Sequence, residues 1–399
     1  MKPRTIVLLL AIAALVAKLY CAATTIGSSD VVFFYQFAHM IHERGLLAMY
    51  EASIFFNHTP LVGWFSDAAY TLAGANTPDP DAKRYFVFYL RLPAIFADFF
   101  GVIALLWYQE KTGRPLWWAL ALYAASPVGF MVSGYHGNVD SVMALGILLA
   151  GIACAVDRPA IAGLCLGFAC NIKIIPLILI PAFFFLCWQR RQALRFTIPL
   201  ILTVLIGWSY PLLTIPKTFL KDVLGYGSIW GVWGITYLLR LTGHPALREI
   251  AFVQPTEAQT AIITGLKVLI VALAVVVAWR RRRAEPAEIF QTLAVIWAVF
   301  FVFAPGFGAQ YLAWIMPCFL LANERWYAVL TVASSVALFV FYNAISGGMP
   351  WWQGLKVHSI ANQWTPALVL PWLVLTAFLG WQAWRAVEKP VTEAETQTA

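Results

Sequence analysis

Short polar breaks divide almost the whole chain into apolar runs, spaced too closely for anything but a stack of membrane helices. Candidate spans cover 5–23, 86–108, 116–134, 141–156, 159–170, 174–188, 196–213, 258–279, 288–305, 309–322, 326–343 and 365–384. A straight crossing needs about 20 mostly apolar residues, and most of these runs approach that length. The chain is 61% hydrophobic and 12% charged, against about 45–50% apolar and about 25% charged in soluble domains. The fold class predicted is therefore all-α: a polytopic integral membrane protein with about 12 transmembrane helices.

Charge placement sets the orientation. The basic clusters Lys2/Arg4, Lys111/Arg114, Arg158, Arg190/Arg191/Arg195, Arg280 to Arg283, Arg325 and Arg385/Lys389 all fall on one side if 159–188 crosses twice, turning near Asn171-Ile172-Lys173. By the positive-inside rule that side is the cytoplasm, with both termini there. The net charge of +8 is then a product of topology and not a nucleic-acid signal. The run after Met1-Lys2-Pro3-Arg4 is interrupted by Lys18 and precedes no polar domain, so it reads as an uncleaved first membrane helix. Six cysteines lie in apolar stretches without metal-ligand spacing, so no disulfide framework, metal site or cofactor is expected. Residues 1–385 form a single membrane domain, and the acidic-polar 386–399 reads as a disordered cytoplasmic tail.

The long loops, 24–85, 214–257 and 344–363, fall on the outer side, and the polar chemistry falls with them. In 24–85, Gln36, His39 and Glu43 share one face of an amphipathic helix stopped by Gly45, suited to lying in a membrane interface. Asp30 stands at its entrance, either as part of a Ser28-Ser29-Asp30 cap or as a functional carboxylate. Asp98 is an acid inside the second span, with Arg91 seven residues earlier as a candidate partner; such a pair is either structural or functional. The turn Tyr135-His136-Gly137-Asn138-Val139-Asp140-Ser141 explains its Gly, Asn and Asp as turn and cap residues, but it does not require His136. A cluster that holds sugar hydroxyls fits it equally well. Lys173 either snorkels to the interface or meets a phosphate. Arg240 and Arg248, with Lys217 and Lys221, are outer cations that invite an anionic partner. Gln310 and Tyr311 lie in the turn Pro305 to Leu312, while Trp230, Trp233 and Tyr237 are interface anchors or sugar-stacking rings.

This constellation resembles the GT-C superfamily of membrane glycosyltransferases, which use polyprenyl-phosphate-linked sugars. The matching elements are Asp30 in the first outer loop, Gly45 to Tyr50 with His58-Thr59-Pro60-Leu61, and Arg91 with Ala97-Asp98. They continue in His136-Gly137 with Asp140 and in Asn171, Lys173 and Pro176. Gly137-Asn138-Val139-Asp140-Ser141 and Lys173 to Leu177 are similar in wording to bacterial mannosyltransferase-like members. A single Pro at the loop motif and His58 in the usual aromatic place depart from the pattern.

The resemblance implies inverting transfer of a hexose, mannose favoured over glucose, at the outer face of a bacterial cytoplasmic membrane. The donor would be a polyprenyl-phosphate sugar and the acceptor a hydroxyl on a glycan, lipid or protein. Asp30 would be the general base. His58, Arg91, Asp98, His136, Asn138, Asp140, Lys173, Arg240, Arg248, Gln310 and Tyr311 would bind substrate, with Lys173 at the phosphate. The rival reading is a lipid or sugar flippase or transporter with Arg91, Asp98 and Lys173 along a transit path. A third is a scaffold subunit in which none of these residues matters.

Overall fold

The computed structural model describes residues 2–53, 55–75, 81–225, 229–251, 254–346 and 365–388. The expected outer stretch 347–364 and the tail from 389 lie outside the described residues. Among those described, the chain is built of helices, with one isolated antiparallel pairing of Trp230 and Ala251.

Every apolar run of the sequence becomes helix. Among the described residues, seven helices are long and apolar enough to cross a membrane: α1 (Pro3–Thr24), α5 (Ala82–Thr112), α11 (Ala193–Thr214), α14 (Glu257–Arg280), Pro286–Phe303 ending in α15 (Ile289–Phe303), α17 (Glu324–Ile345) and α18 (Thr365–Glu388). Shorter apolar helices fill the remaining runs: α8 (Asp140–Ala155), α9 (Pro159–Cys170), α10 (Ile180–Gln189) and α16 (Leu312–Ala322). The stretch 159–188 is two helices, as expected, because Asn171 ends α9 and Pro176 opens a 3₁₀ turn into α10. The run 116–134 is broken as well. α6 (Trp117–Ala124) stops before Ser126-Pro127, a single helical turn α7 (Pro127–Gly129) follows, and Phe130–His136 winds as a π-helix.

α15 and α16 are almost wholly buried, with Trp297, Phe300, Phe301 and Trp314 in mutual ring contact at their centre. α1, α11 and α14 present Leu9, Val16, Ile206, Leu213 and Val268 outward. An apolar exterior of that extent suits a hydrocarbon solvent. On one end of the bundle lie α2 (Ser29–Arg44), α3 (Leu46–Ala52) and α4 (Pro60–Leu72), packed on one another and on α5. Gly45 closes α2 at φ 83°, a conformation that disfavours side chains.

Two charged groups inside the bundle take partners other than the expected ones. Asp98 is not paired with Arg91. Its Oδ2 lies 2.5 Å from Lys18 Nζ of α1 and accepts from Ser133 Oγ at 2.6 Å. Seven residues along a helix bring Arg91 and Asp98 to one face two turns apart, about 10 Å by rise alone, so a neighbouring helix supplies the nearer cation. Gly134 makes room for it: a Cβ there would meet Lys18 Cγ at 3.2 Å. Arg91 is fully buried and donates to the carbonyls of Thr25 at 3.1 Å and Ile26 at 2.6 Å and to Thr25 Oγ1 at 3.0 Å. It satisfies the extended link between α1 and α2, where no helix pairs those carbonyls.

Removing one member of a buried ion pair strands the other charge, at a cost of about 3–5 kcal/mol, whereas apolar replacement of both is far milder. Lys18→Met should therefore lower the thermal midpoint in detergent sharply, and Lys18→Met/Asp98→Leu should recover most of the loss. Equal losses in the single and double variants would remove the pair from this account.

Candidate active site

The site is assembled where the α1–α2 link crosses the end of the π-helix. Ser28 performs two tasks there. Its Oγ accepts the backbone N–H of Asp30 as the α2 N-cap, at 3.2 Å, and donates to the carbonyl of His136 at 2.7 Å. The Ser28 backbone N–H donates to the same carbonyl at 3.3 Å. The chain then turns at Gly137, φ 83°, where the space a Cβ would fill is held by Val31 Cγ2, 2.3 Å away. Only glycine lets α2 approach this closely.

This fastening lays Asp30 against the turn. Its Oδ2 is 3.0 Å from His136 Nε2, accepts from Asn138 Nδ2 at 2.8 Å, and accepts from Gln310 Nε2 at 3.3 Å. All three bonds converge on one oxygen. Among the described residues no hydrogen bond reaches Oδ1, and the side chain keeps 31% exposure. Burial alone raises the Asp30 carboxyl, but His136, the bonds from His136 and Asn138, and the Lys173 charge outweigh it and hold the group down at about 2. The carboxylate is thus ionised at neutral pH.

Behind it lies a second pair. Lys173 Nζ is 2.8 Å from Asp140 Oδ1, which also accepts from Trp314 Nε1. The ammonium stands 5.3 Å from the ring centres of both Tyr311 and Trp314, which stack on each other at 3.9 Å. Cation–π attraction and an ion pair together hold a lysine that retains 12% exposure. His58 is wedged 4.8 Å from the Phe34 ring. Burial first, then the nearby Lys173 charge, pulls its imidazole down to about 3 against the opposing pull of Asp30, so it is neutral at physiological pH. Its loop is docked by Tyr50 Oη, which donates to the His58 carbonyl at 2.8 Å, and by Thr59 Oγ1, which donates to the carbonyl of Asn171.

The structure thus gathers Asp30, His136, Asn138 and Gln310, with Asp140, Lys173, Tyr311 and His58 next to them. The remaining expected binders have other contacts. Arg91 serves backbone carbonyls and Asp98 is in the Lys18 pair. Arg240 lies 5.3 Å from the Tyr237 ring and Arg248 is ion-paired with Glu249 at 3.2 Å. His136 and Asn138, read as sugar-facing groups, each turn one nitrogen to Asp30, and Asp140 is wholly buried. Three participants carry no signal in the sequence. Tyr342 Oη is 3.0 Å from His136 Nδ1, Trp314 lies one turn beyond Tyr311, and Lys18 reads as a mere interruption of an apolar run.

Residues 80–305, more than half of the 399, match glycosyltransferase family 87. The chain belongs to glycosyltransferase family 87. With its apolar helices, it is an integral membrane glycosyltransferase. No curated protein matches it. The family 87 match runs from the start of α5 to the end of α15, and so takes in the His136–Asp140 turn and Lys173. Asp30, His58, Gln310, Tyr311 and Tyr342 lie outside the matched range and reach the site only through the fold.

The depressed carboxyl has a signed consequence. A group whose folded value lies below its unfolded value of about 3.9 stabilises the protein above that value and loses the contribution as pH falls toward the folded value. The stability gap between wild type and Asp30→Asn should hold steady from about pH 5 to 8 and close between about pH 4 and 2. A gap that widens on acidification would overturn the assignment of Asp30 as the ionised partner.

Proposed function

We propose that this family 87 chain transfers a hexose, mannose in preference to glucose, from a polyprenyl-phosphate donor to a hydroxyl acceptor, with inversion and with Asp30 as general base. The carrying observation is the asymmetry of Asp30. Three donors occupy Oδ2 and fix the carboxylate plane, while Oδ1 accepts nothing from the described residues and the side chain is partly open.

In the reaction the acceptor oxygen attacks the anomeric carbon, forming the new glycosidic bond as the bond from that carbon to the phosphate oxygen breaks. The electron pair leaves on polyprenyl phosphate. The acceptor proton passes to Asp30 Oδ1 and from there to water. A phosphate leaving group needs no strong acid, only positive charge to meet its growing anion, and Lys173 supplies it from beside the base. Asp140 and the Tyr311–Trp314 stack keep that ammonium from straying when the site is empty. An ionised carboxylate with a low pKa is a mild base, suited to accepting a proton as the bond to carbon forms rather than before.

In the topology that accompanies this reading, twelve crossings keep both termini in the cytoplasm and the GT-C-like site on the outer face of a bacterial inner membrane. α2 to α4 lie at the interface, where a lipid phosphate and a polar acceptor (a glycan, a lipid or a protein) meet. The mannose preference rests on the wording of Gly137 to Ser141 and Lys173 to Leu177.

Vesicles containing the purified protein, radiolabelled polyprenyl-phosphate mannose or glucose, and a native membrane lipid extract as acceptor provide the test. Wild type should move label into a new product, and a folded Asp30→Asn should be slower by at least about 10²-fold. Equal transfer by the variant would reduce Asp30 to a residue of the helix cap. Label crossing the bilayer without a product would sink the enzymatic reading.

A further inference from the structure

His136 is held from two sides, by the start of α2 and by α17. The His136 backbone carbonyl takes two bonds from Ser28, ring Nε2 faces Asp30, and ring Nδ1 faces the hydroxyl of Tyr342 on α17. Tyr342 is fully buried, with its ring edge-on to Tyr135 at 5.4 Å and 5.7 Å from His136. Which imidazole nitrogen carries the proton is set by the bond the other nitrogen makes. A phenol that donates to Nδ1 occupies that lone pair and leaves the proton on Nε2, where Asp30 Oδ2 can accept it.

We propose that Tyr342 is a positioning residue for transfer: by donating to Nδ1 it holds His136 as the Nε2–H tautomer that pins Oδ2 of Asp30 and turns Oδ1 toward the acceptor. The catalytic part of this inference rests on the reading of Asp30 as the base; the tautomer does not. Without Tyr342 the proton can sit on Nδ1, and Nε2 then presents a lone pair to a carboxylate oxygen. Two acceptors facing each other repel, so Asp30 would swing away from His136 and lose its aim. The anion itself would survive, because Asn138 and Gln310 still reach it. The expected damage is therefore to the aim of the base rather than to its charge, and it should fall on kcat while leaving KM for the donor in place. α17 lies beyond the family-matched range, so the residue that sets the tautomer is supplied by a different part of the fold from the histidine it governs.

The test uses the full chain in lipid nanodiscs with ¹⁵N-labelled histidine. The chain has six histidines, so the His136 signals are assigned by their loss in His136→Gln. Wild type should show a single Nε2–H tautomer, and Tyr342→Phe a mixture or a switch to Nδ1–H. In the vesicle assay Tyr342→Phe should lower kcat by about tenfold, the worth of one ordinary buried hydrogen bond, with donor KM within about twofold. Should Tyr342→Phe fail to fold, 3-fluorotyrosine placed at 342 keeps the shape and donates more strongly, so the Nδ1 resonance should move with Nε2–H retained. An unchanged His136 spectrum in either variant, or a wild-type ring protonated on Nδ1, alone or together with Nε2, overturns the inference. So does a kcat equal to wild type. The ring spectrum needs no sugar donor, so wild-type inactivity with every donor would sink the proposed transfer while the tautomer result stood by itself.

Discussion

The three donors on one oxygen of Asp30 are the constraint on which the rest of the site depends. An aspartate in so apolar a chain is ordinarily either solvated and mobile or buried and neutralised. Here it is neither, because His136, Asn138 and Gln310 come from two separate turns and meet on Oδ2 alone. The charges of His136 and Lys173 and the bonds from His136 and Asn138 together favour the anion strongly enough to override burial. The bond set also fixes direction, since a carboxylate held by one oxygen can present only the other. The surrounding architecture follows from the need to bring those donors to one point: the Gly137 turn, the Ser28 fastening and the Arg91 clamp on the α1–α2 link.

Charges inside the bundle obey a single rule. Lys18 with Asp98, Lys173 with Asp140, and Arg91 with a row of carbonyls are each matched locally, as a low-dielectric interior demands. The matches differ in what they leave over. Arg91 serves backbone that no helix can satisfy. The Lys18–Asp98 pair also binds Ser133 of the π-helix, and so ties α1 and α5 to the segment that ends in His136. Lys173 is held less completely. It keeps some exposure, its carboxylate partner is shared with the Trp314 indole, and two aromatic faces stand beside it. A cation arranged in that way can share its charge with an incoming phosphate.

Much of this was legible in residue order. Apolar runs become helices because a chain of this composition can satisfy its backbone within a membrane only by internal bonding. Gly45, Pro176 and Ser126-Pro127 end or break helices where their local chemistry says they must. The polar islands at 28–30, 136–141, 171–173 and 310–311 stand out because polar groups are rare in such a chain, and those four islands are the ones that meet. Pairing was less legible. Helical spacing suggested Arg91 for Asp98, but spacing along one helix says nothing about a cation on the next, and Lys18 is nearer. Arg240 and Arg248 stand out as cations in the sequence, and the structure adds their contacts with Tyr237 and Glu249.

The sequence by itself therefore determined the solvent, the helices, the turns and the short list of polar residues with work to do. These follow from local properties: hydropathy, breakers, caps and the cost of a charge in hydrocarbon. Only the tertiary structure decided which of those residues face one another. Tyr342 lies in an apolar helix 206 residues from His136, and Gln310 lies 280 residues from Asp30. No periodicity or composition links positions so far apart. Their contact is set by how α2, α17 and the π-helix pack, and packing is a property of facing surfaces that a residue order does not display.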